Sequence, residues 1–231
     1  MALYAIGDLH LSIGCDKPMD IFSGWADHTQ RLEQNWRNIV QDGDTVVIPG
    51  DVSWGMSLEE AAPDFAFLQS LPGRKLLLKG NHDYWWTTRR KMDAFFDENG
   101  FDSLSIVHND AVDIDGRYAV CGTRGWFYDA ESDADKKVLA REVGRLHASV
   151  QAARKMQRKP VLFLHYPPIY GGQVCQEIVD AICEEGITLC HYGHVHGKGI
   201  AYAARGWVSG AEYRLISADA VGFSPVLLPL P

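Results

Sequence analysis

The segment "KLLLKGNHDYWW", Lys75 to Trp86, sets three leucines against a glycine, an amide, an imidazole and a carboxylate, and then two tryptophans. An apolar run this short, with no polar alternation, suits a strand covered on both faces. Gly80 then lets the backbone turn sharply and approach another group with no Cβ in the way. The polar trio Asn81, His82 and Asp83 therefore falls just beyond a strand end. Working outward, the pattern recurs. "LYAIG" runs into "GDLH" with Asp8 and His10, and "TVVIPG" ends at Gly50–Asp51. "YAVCG" is followed by Arg124, "VLFLH" closes on His165, and "ITLCHYG" leads into "GHVH" with His194 and His196.

Helical patterns lie between several of these runs. A helix is expected from about Asp27 to Val40, with Leu32, Trp36, Ile39 and Val40 on one face. "SLEE" at Ser57–Glu60 has capping-box spacing and opens a second, which Pro63 is expected to kink or delay. "TTRRKMDAFFDENG" reads as a third, closed by Gly100. From Asp133 to Lys159 a stripe of Leu139, Val143, Leu146, Val150 and Ala153 marks a long fourth. "VDIDGRYAV" reads as a hairpin on an Asp-Gly turn. Strands alternating with helices, with later hairpins, place the chain in the α/β class.

Composition bounds the function. The 231 residues suit a single domain, 1–231, with 46% hydrophobic and 23% charged residues. A formal net charge of −8 disfavours general nucleic-acid binding. Five cysteines, none in a Cys-x-x-Cys pair, argue against a disulfide framework or a thiolate zinc site and favour a reducing, cytoplasmic setting. "MALYAIGDLHLS" lacks a basic start and meets Asp8 early, so no signal peptide is expected. No stretch approaches membrane-spanning length, so no membrane association is expected.

In an α/β fold the carboxyl ends of neighbouring strands converge on one crevice. Asp8, His10, Asp51, Asn81, His82, His165, His194 and His196 would meet there. Asp-x-His and His-x-His skip one residue, so both side chains of each pair leave the same side of an extended segment. Oxygen and imidazole donors without thiolate suit cations such as Mn, Fe or Zn. Two divalent ions sharing Asp51 would sit roughly 3.5–4 Å apart, the separation used by two-metal hydrolases. Set against Asp8, Asp51 and a hydroxide, they leave the centre about one unit positive, which favours an anionic substrate.

The order Asp-x-His, Gly-Asp, Gly-Asn-His-Asp, His, Gly-His-x-His resembles the calcineurin-like metallophosphoesterase superfamily, from Asp8 to His196. The resemblance implies a four-layer α/β/β/α sandwich of mixed sheets flanked by helices, with the site at the strand ends. It implies that Asp8, His10 and His196 hold one metal, that Asp51 bridges, and that Asn81, His165 and His194 hold the second. His82 would then face the phosphoryl group and assist the leaving group, with Asp83 orienting its imidazole. A small phosphomonoester or phosphodiester would be cleaved by metal-activated hydroxide.

Other residues carry two readings each. Arg124 can grip a phosphate oxygen or anchor its loop through a salt bridge. Trp54 and Tyr84, with Trp85, Trp86 and Tyr166, can line a pocket for an aryl or base leaving group or pack as core. Asp83 can instead cap the helix that follows. His28, His108, His147 and His191 match no motif and read as surface or structural. After Asp51 comes "VSWG", without the acidic-arginine signature of protein phosphatases. A cyclic-nucleotide or nucleotide pyrophosphate substrate and a non-catalytic metal-binding scaffold are the competing functions. The scaffold ranks last, because His82 and every ligand position are retained.

Overall fold

The computed structural model describes residues 1–126 and 132–230, which form two compact units: residues 1–106 with 216–230, and residues 107–215. In the first unit the order is β1 (Leu3–Ala5), α1 (His28–Ile39), β2 (Thr45–Ile48), α2 (Leu58–Ser70), β3 (Arg74–Leu77), α3 (Arg89–Asn99) and β4 (Leu104–Ile106). These four strands run parallel, and a returning strand, Val226–Leu227, pairs antiparallel with β1 to complete a mixed five-stranded sheet. Ala5 pairs with Val47 and Leu77 with Ile48, so the three strands end level with one another. Three residues past β1 and β2 stand Asp8 and Asp51, and four past β3 stands Asn81.

Each helix follows from local chemistry. Ser57 caps α2, accepting the Glu60 N–H at 3.3 Å, while Glu60 reaches back to the Met56 N–H at 2.8 Å. Pro63 sits inside α2, in its second turn, without stopping it. The helix loses only the bond that would have reached the Glu59 carbonyl. Thr88 caps α3, and Gly100 closes it in the left-handed region at φ 68. Leu32 and Trp36 of α1, Ala61, Phe65 and Leu68 of α2, and Met92 and Phe96 of α3 join Val46, Ile48, Leu77 and Ile106 in one buried core.

The second unit runs β5 (Ala111–Asp113), β6 (Tyr118–Thr123), α4 (Asp133–Lys155), β7 (Lys159–Leu164), β8 (Ile169–Tyr170), β9 (Gln173–Val174), α5 (Gln176–Glu184), β10 (Leu189–Tyr192), β11 (Gly206–Val208) and β12 (Ala211–Leu215). Its six-stranded sheet has the order β11-β12-β10-β7-β6-β5, parallel in the middle and antiparallel at both edges. Thr123, Leu164 and Tyr192 share one level, which brings Arg124, His165 and the Gly193–His196 turn to one end. The hairpin from β5 to β6 is the one read from the Asp-Gly turn.

A capping box between Ser132 and Asp135 opens α4, with Asp133 and Asp135 in its first turn and Arg154 and Lys155 in its last. The buried stripe of α4 departs from the sequence reading at Glu142, Val143 and Ser149, the last of which is buried as well. Glu142 is buried where Val143 was expected, and Val143 is only half-buried. Glu142 tolerates this because its carboxylate accepts from Thr123 Oγ1 at 2.6 Å and pairs with Arg145. The chain is thus an α/β protein of mixed sheets flanked by helices. Among the described residues no helix is long and apolar enough to cross a membrane, and none of the five cysteines is in a disulfide.

Candidate metal centre

In the first unit the loops after β1 and β2 run together. Asp8 donates its N–H to Gly50 O, His10 to Asp51 O and Leu11 to Val52 O, each at 3.0 Å. Asp8, His10 and Asp51 all occupy the left-handed backbone region, at φ 58, 46 and 51. Such conformations cost non-glycine residues of order 1–3 kcal/mol each and persist only where the surroundings fix them. All three side chains are buried, and Asp8 and Asp51 are at most 1% exposed. Carboxylates this deep require compensating positive charge or dense hydrogen bonding.

The segment after β3 locks onto Asp51. Asp51 Oδ1 accepts the His82 backbone N–H at 2.8 Å, and Asp51 Oδ2 lies 3.7 Å from His10 Nε2. A Cβ on Gly80 would stand 2.1 Å from Asp51 Oδ1, so only glycine fits there. Asp83, 2% exposed, gathers the N–H groups of Asp51 (2.9 Å), Val52 (2.8 Å), Ser53 (3.4 Å) and Gly80 (2.7 Å) and the Trp85 indole (3.0 Å). Its carboxylate therefore clamps two loops together. The cap of the following helix is Thr88, so the capping alternative for Asp83 does not hold.

Aromatic rings bed His10 and His82. Trp54 stacks on His10 with centroids 5.0 Å apart and lies 4.4 Å from His82. Trp25 meets His10 edge-on at 5.7 Å. Tyr84 is exposed and brings its hydroxyl to 3.5 Å from His82 Nδ1, a long contact. Trp85 is core, edge-on to Phe65 at 4.9 Å. His28 is a structural histidine whose ring is held by the backbone of His10 and Trp25, and burial pushes its pKa down. Nothing in the linear motif pointed to Trp25 or His28, because their link to His10 is purely spatial.

In the second unit His165 follows directly on β7, and its N–H and that of Tyr166 both donate to the Arg124 carbonyl, at 3.2 and 2.8 Å. His165 O accepts from Gly193, which sets the turn carrying His194 at φ 70. His194 Nδ1 stands 3.3 Å from His165 Nε2, and Tyr166 packs edge-on to the His194 ring at 4.7 Å. Two imidazole nitrogens this close share one proton or face a common cation. The Arg124 guanidinium lies 5.8 Å from the Trp126 ring centre and 5.7 Å from that of Tyr166.

In the first unit Asp8, His10 and Asp51 gather just past the ends of β1 and β2, and in the second His165, His194 and His196 gather past the ends of β7 and β10. All six are residues able to hold a metal ion. Six of the seven residues read from the sequence as ligands thus fall into two groups of three. Asn81 stands half-buried in the Gly80–Asp83 turn.

An α/β chain with two such clusters of carboxylate and imidazole has the makings of a metal-binding protein. It belongs to the calcineurin-like phosphoesterase family, whose model matches residues 1–198. Uncharacterized protein MJ1445 of Methanocaldococcus jannaschii is 29% identical over 112 residues, which cover 46% of this chain and 58% of that protein. The chain thus spans little more than half the length of this curated relative. Two solved structures resemble it in fold. The protein of unknown function AQ665 from Aquifex aeolicus has a TM-score of 0.51 and 14% identity, covering 98% of this chain and 95% of that one. Phosphopantetheinyl hydrolase (PptH) from Mycobacterium tuberculosis has a TM-score of 0.50 and 16% identity, covering 94% and 88%.

Proposed function

We propose that the chain works as one metallophosphoesterase domain, a dinuclear-metal-dependent phosphohydrolase acting on a small phosphomonoester or phosphodiester. The observation that carries this reading is the pair of three-residue clusters built from buried carboxylates and imidazoles. The donor chemistry fits borderline divalent cations such as Mn, Fe or Zn, since no thiolate is among the donors. Asp8, His10 and His196 would hold one ion, Asn81, His165 and His194 the other, and Asp51 both. When bound, such ions supply Lewis acidity and a water made acidic enough to react near neutral pH.

The remaining work falls to the chain's own side chains. His82 faces the phosphoryl group, hydrogen-bonds its oxygen and gives a proton to the departing alkoxide. Its backbone is fixed by Asp51 and its ring by Trp54 and Tyr84. Asp83 is a positioning residue: by clamping residues 51–53 and Gly80 it sets where Asp51 and His82 stand. Arg124 grips a phosphate oxygen, and Trp54 and Tyr84 flank the leaving group. The five unbridged cysteines accord with a reducing, cytoplasmic setting.

The test is metal content and turnover together. Purified protein dialysed against Mn²⁺ is expected to retain two equivalents and to cleave p-nitrophenyl phosphate, its bis ester, or both. His82→Ala is expected to lose about 10²–10⁴-fold in turnover with both metals retained. No bound metal and no turnover of either ester would sink the proposal. Full activity in His82→Ala would remove His82 from the mechanism while leaving the metal assignment standing.

A further inference from the structure

Between two buried residues, Met19 and Trp25, the chain raises Ile21 and Phe22 into solvent, 73% and 53% exposed. Backbone bonds from Phe22 to Met19 O (3.0 Å) and from Trp25 to Phe22 O (3.1 Å) fold this stretch into successive tight turns. Both feet stand on the aromatic bed of the candidate site. Met19 Sδ accepts from Trp54 Nε1 at 3.4 Å, and Trp54 covers His10 and His82. Trp25 meets the His10 ring directly. Ile21 is two residues from Met19 and Phe22 three from either foot, a reach of at most about 10 Å even in extended chain, so the exposed pair stays close to that bed. Tyr84, itself 52% exposed, extends the apolar rim from the His82 side.

Single exposed apolar residues are ordinary on a protein surface. A pair on an anchored tip, continuous with the rings that pack on His10 and His82, is a patch placed for an occupant. The charges beside it narrow what that occupant is. Asp16, Asp20 and Asp27 are exposed on the same stretch, and against them stand Lys17 and the Arg31 guanidinium that donates to the Gly24 carbonyl. The tip is thus net acidic and lacks the basic cluster that would draw it to an anionic lipid surface. We infer that the tip receives the apolar part of the substrate: the ester cleaved here carries a hydrocarbon substituent of several carbons that lies on Ile21, Phe22, Trp54 and Tyr84. This rests on the phosphohydrolase reading and adds the class of substrate to it.

The experiment uses the full chain loaded with Mn²⁺ and titrated calorimetrically with methyl-, butyl- and octylphosphonate, which mimic the phosphate and cannot be hydrolysed. Each fully buried methylene is worth about fourfold in affinity, so even partial burial makes the octyl compound at least ~10-fold tighter than the methyl. In Ile21→Ser/Phe22→Ser the gain is expected to shrink to about threefold or less, and Phe22→Ala alone should lose roughly half of it. Equal affinity across the series, no binding of any of the three, or a chain-length gain undiminished in the double variant would each overturn the inference. So would flotation of the wild type with phosphatidylcholine vesicles without any octyl gain, which would give the tip to a bilayer. The parent reading fails separately, by absence of Mn²⁺-dependent p-nitrophenol release even where the octyl preference stands.

Discussion

On the first unit, Asp8, His10 and Asp51 leave their strands through left-handed backbone, and two of the three are buried carboxylates. On the second, His165 continues straight from β7, His196 is extended at φ −127, and His194 alone of the three is left-handed. The first half-site also needs a third carboxylate, Asp83, to hold its loops, whereas the second is set by backbone bonds to Arg124 O and His165 O. An extended strand end can present an imidazole, as at His165 and His196. Buried carboxylates cannot be presented so, because each must be desolvated and aimed at the same time. The strain therefore gathers on the side that carries the carboxylates.

Several measurements would break or sharpen this contrast. The largest effect is expected at Asp51. Asp51→Asn should bring metal content toward zero and lower kcat/KM by at least ~10³-fold, whereas His194→Asn should keep about one metal equivalent after dialysis. Equal metal loss in both would erase the asymmetry. Next, Asp83→Ala strands several buried N–H donors and should cost about 4 kcal/mol in urea unfolding. A loss below about 1 kcal/mol would mean the clamp is not what holds the strained loops.

A third test lies in the second unit, away from its ligands. His191 is buried on β10, stacked on Phe163 at 4.9 Å, with neither ring nitrogen in good hydrogen-bonding geometry. Burial, helped by Arg214 and opposed by the Leu162 backbone and Glu212, pushes its pKa from 6.5 down to about 4. Between those values the unfolded chain binds the proton and the folded chain does not, so stability falls as pH drops from about 6.5 to about 4, by roughly 3 kcal/mol in all. His191→Phe should remove that part of the pH dependence and leave neutral stability no lower. An unchanged acid profile would show that another group governs it. The smallest effect is expected at Tyr84, where the contact to His82 is long. Tyr84→Phe should slow turnover about two- to threefold with metal content unchanged, and no change at all would leave the His82 ring to Trp54 alone.

Much of this was legible before any coordinates. All six apolar runs became strands, and the candidate ligands stand just past the ends of theirs, because short buried strands and their polar ends are local signals. The helices at 28–39, 58–70, 89–99 and 133–155 were marked by caps and apolar stripes, and only the last ran short, ending at Lys155. Edge strands such as Val226–Leu227 and Gly206–Val208 escaped because two or three residues carry no periodicity. The burial of Glu142 escaped because its partner, Thr123, lies 19 positions away. Asp83 was read beside His82 because they are neighbours in the chain, yet its carboxylate collects amides some thirty residues distant.

Gly80 gives the sheet a further property. With an added carbon only 2.1 Å from Asp51 Oδ1, the exits of the second and third strands are already in contact, with no slack between them. The twist of those strands and the spacing of their terminal side chains are consequently one mechanical quantity. A library randomised at position 80 should return glycine alone, and any change that re-angles β2 against β3 will be felt as a shift in the aim of Asp51.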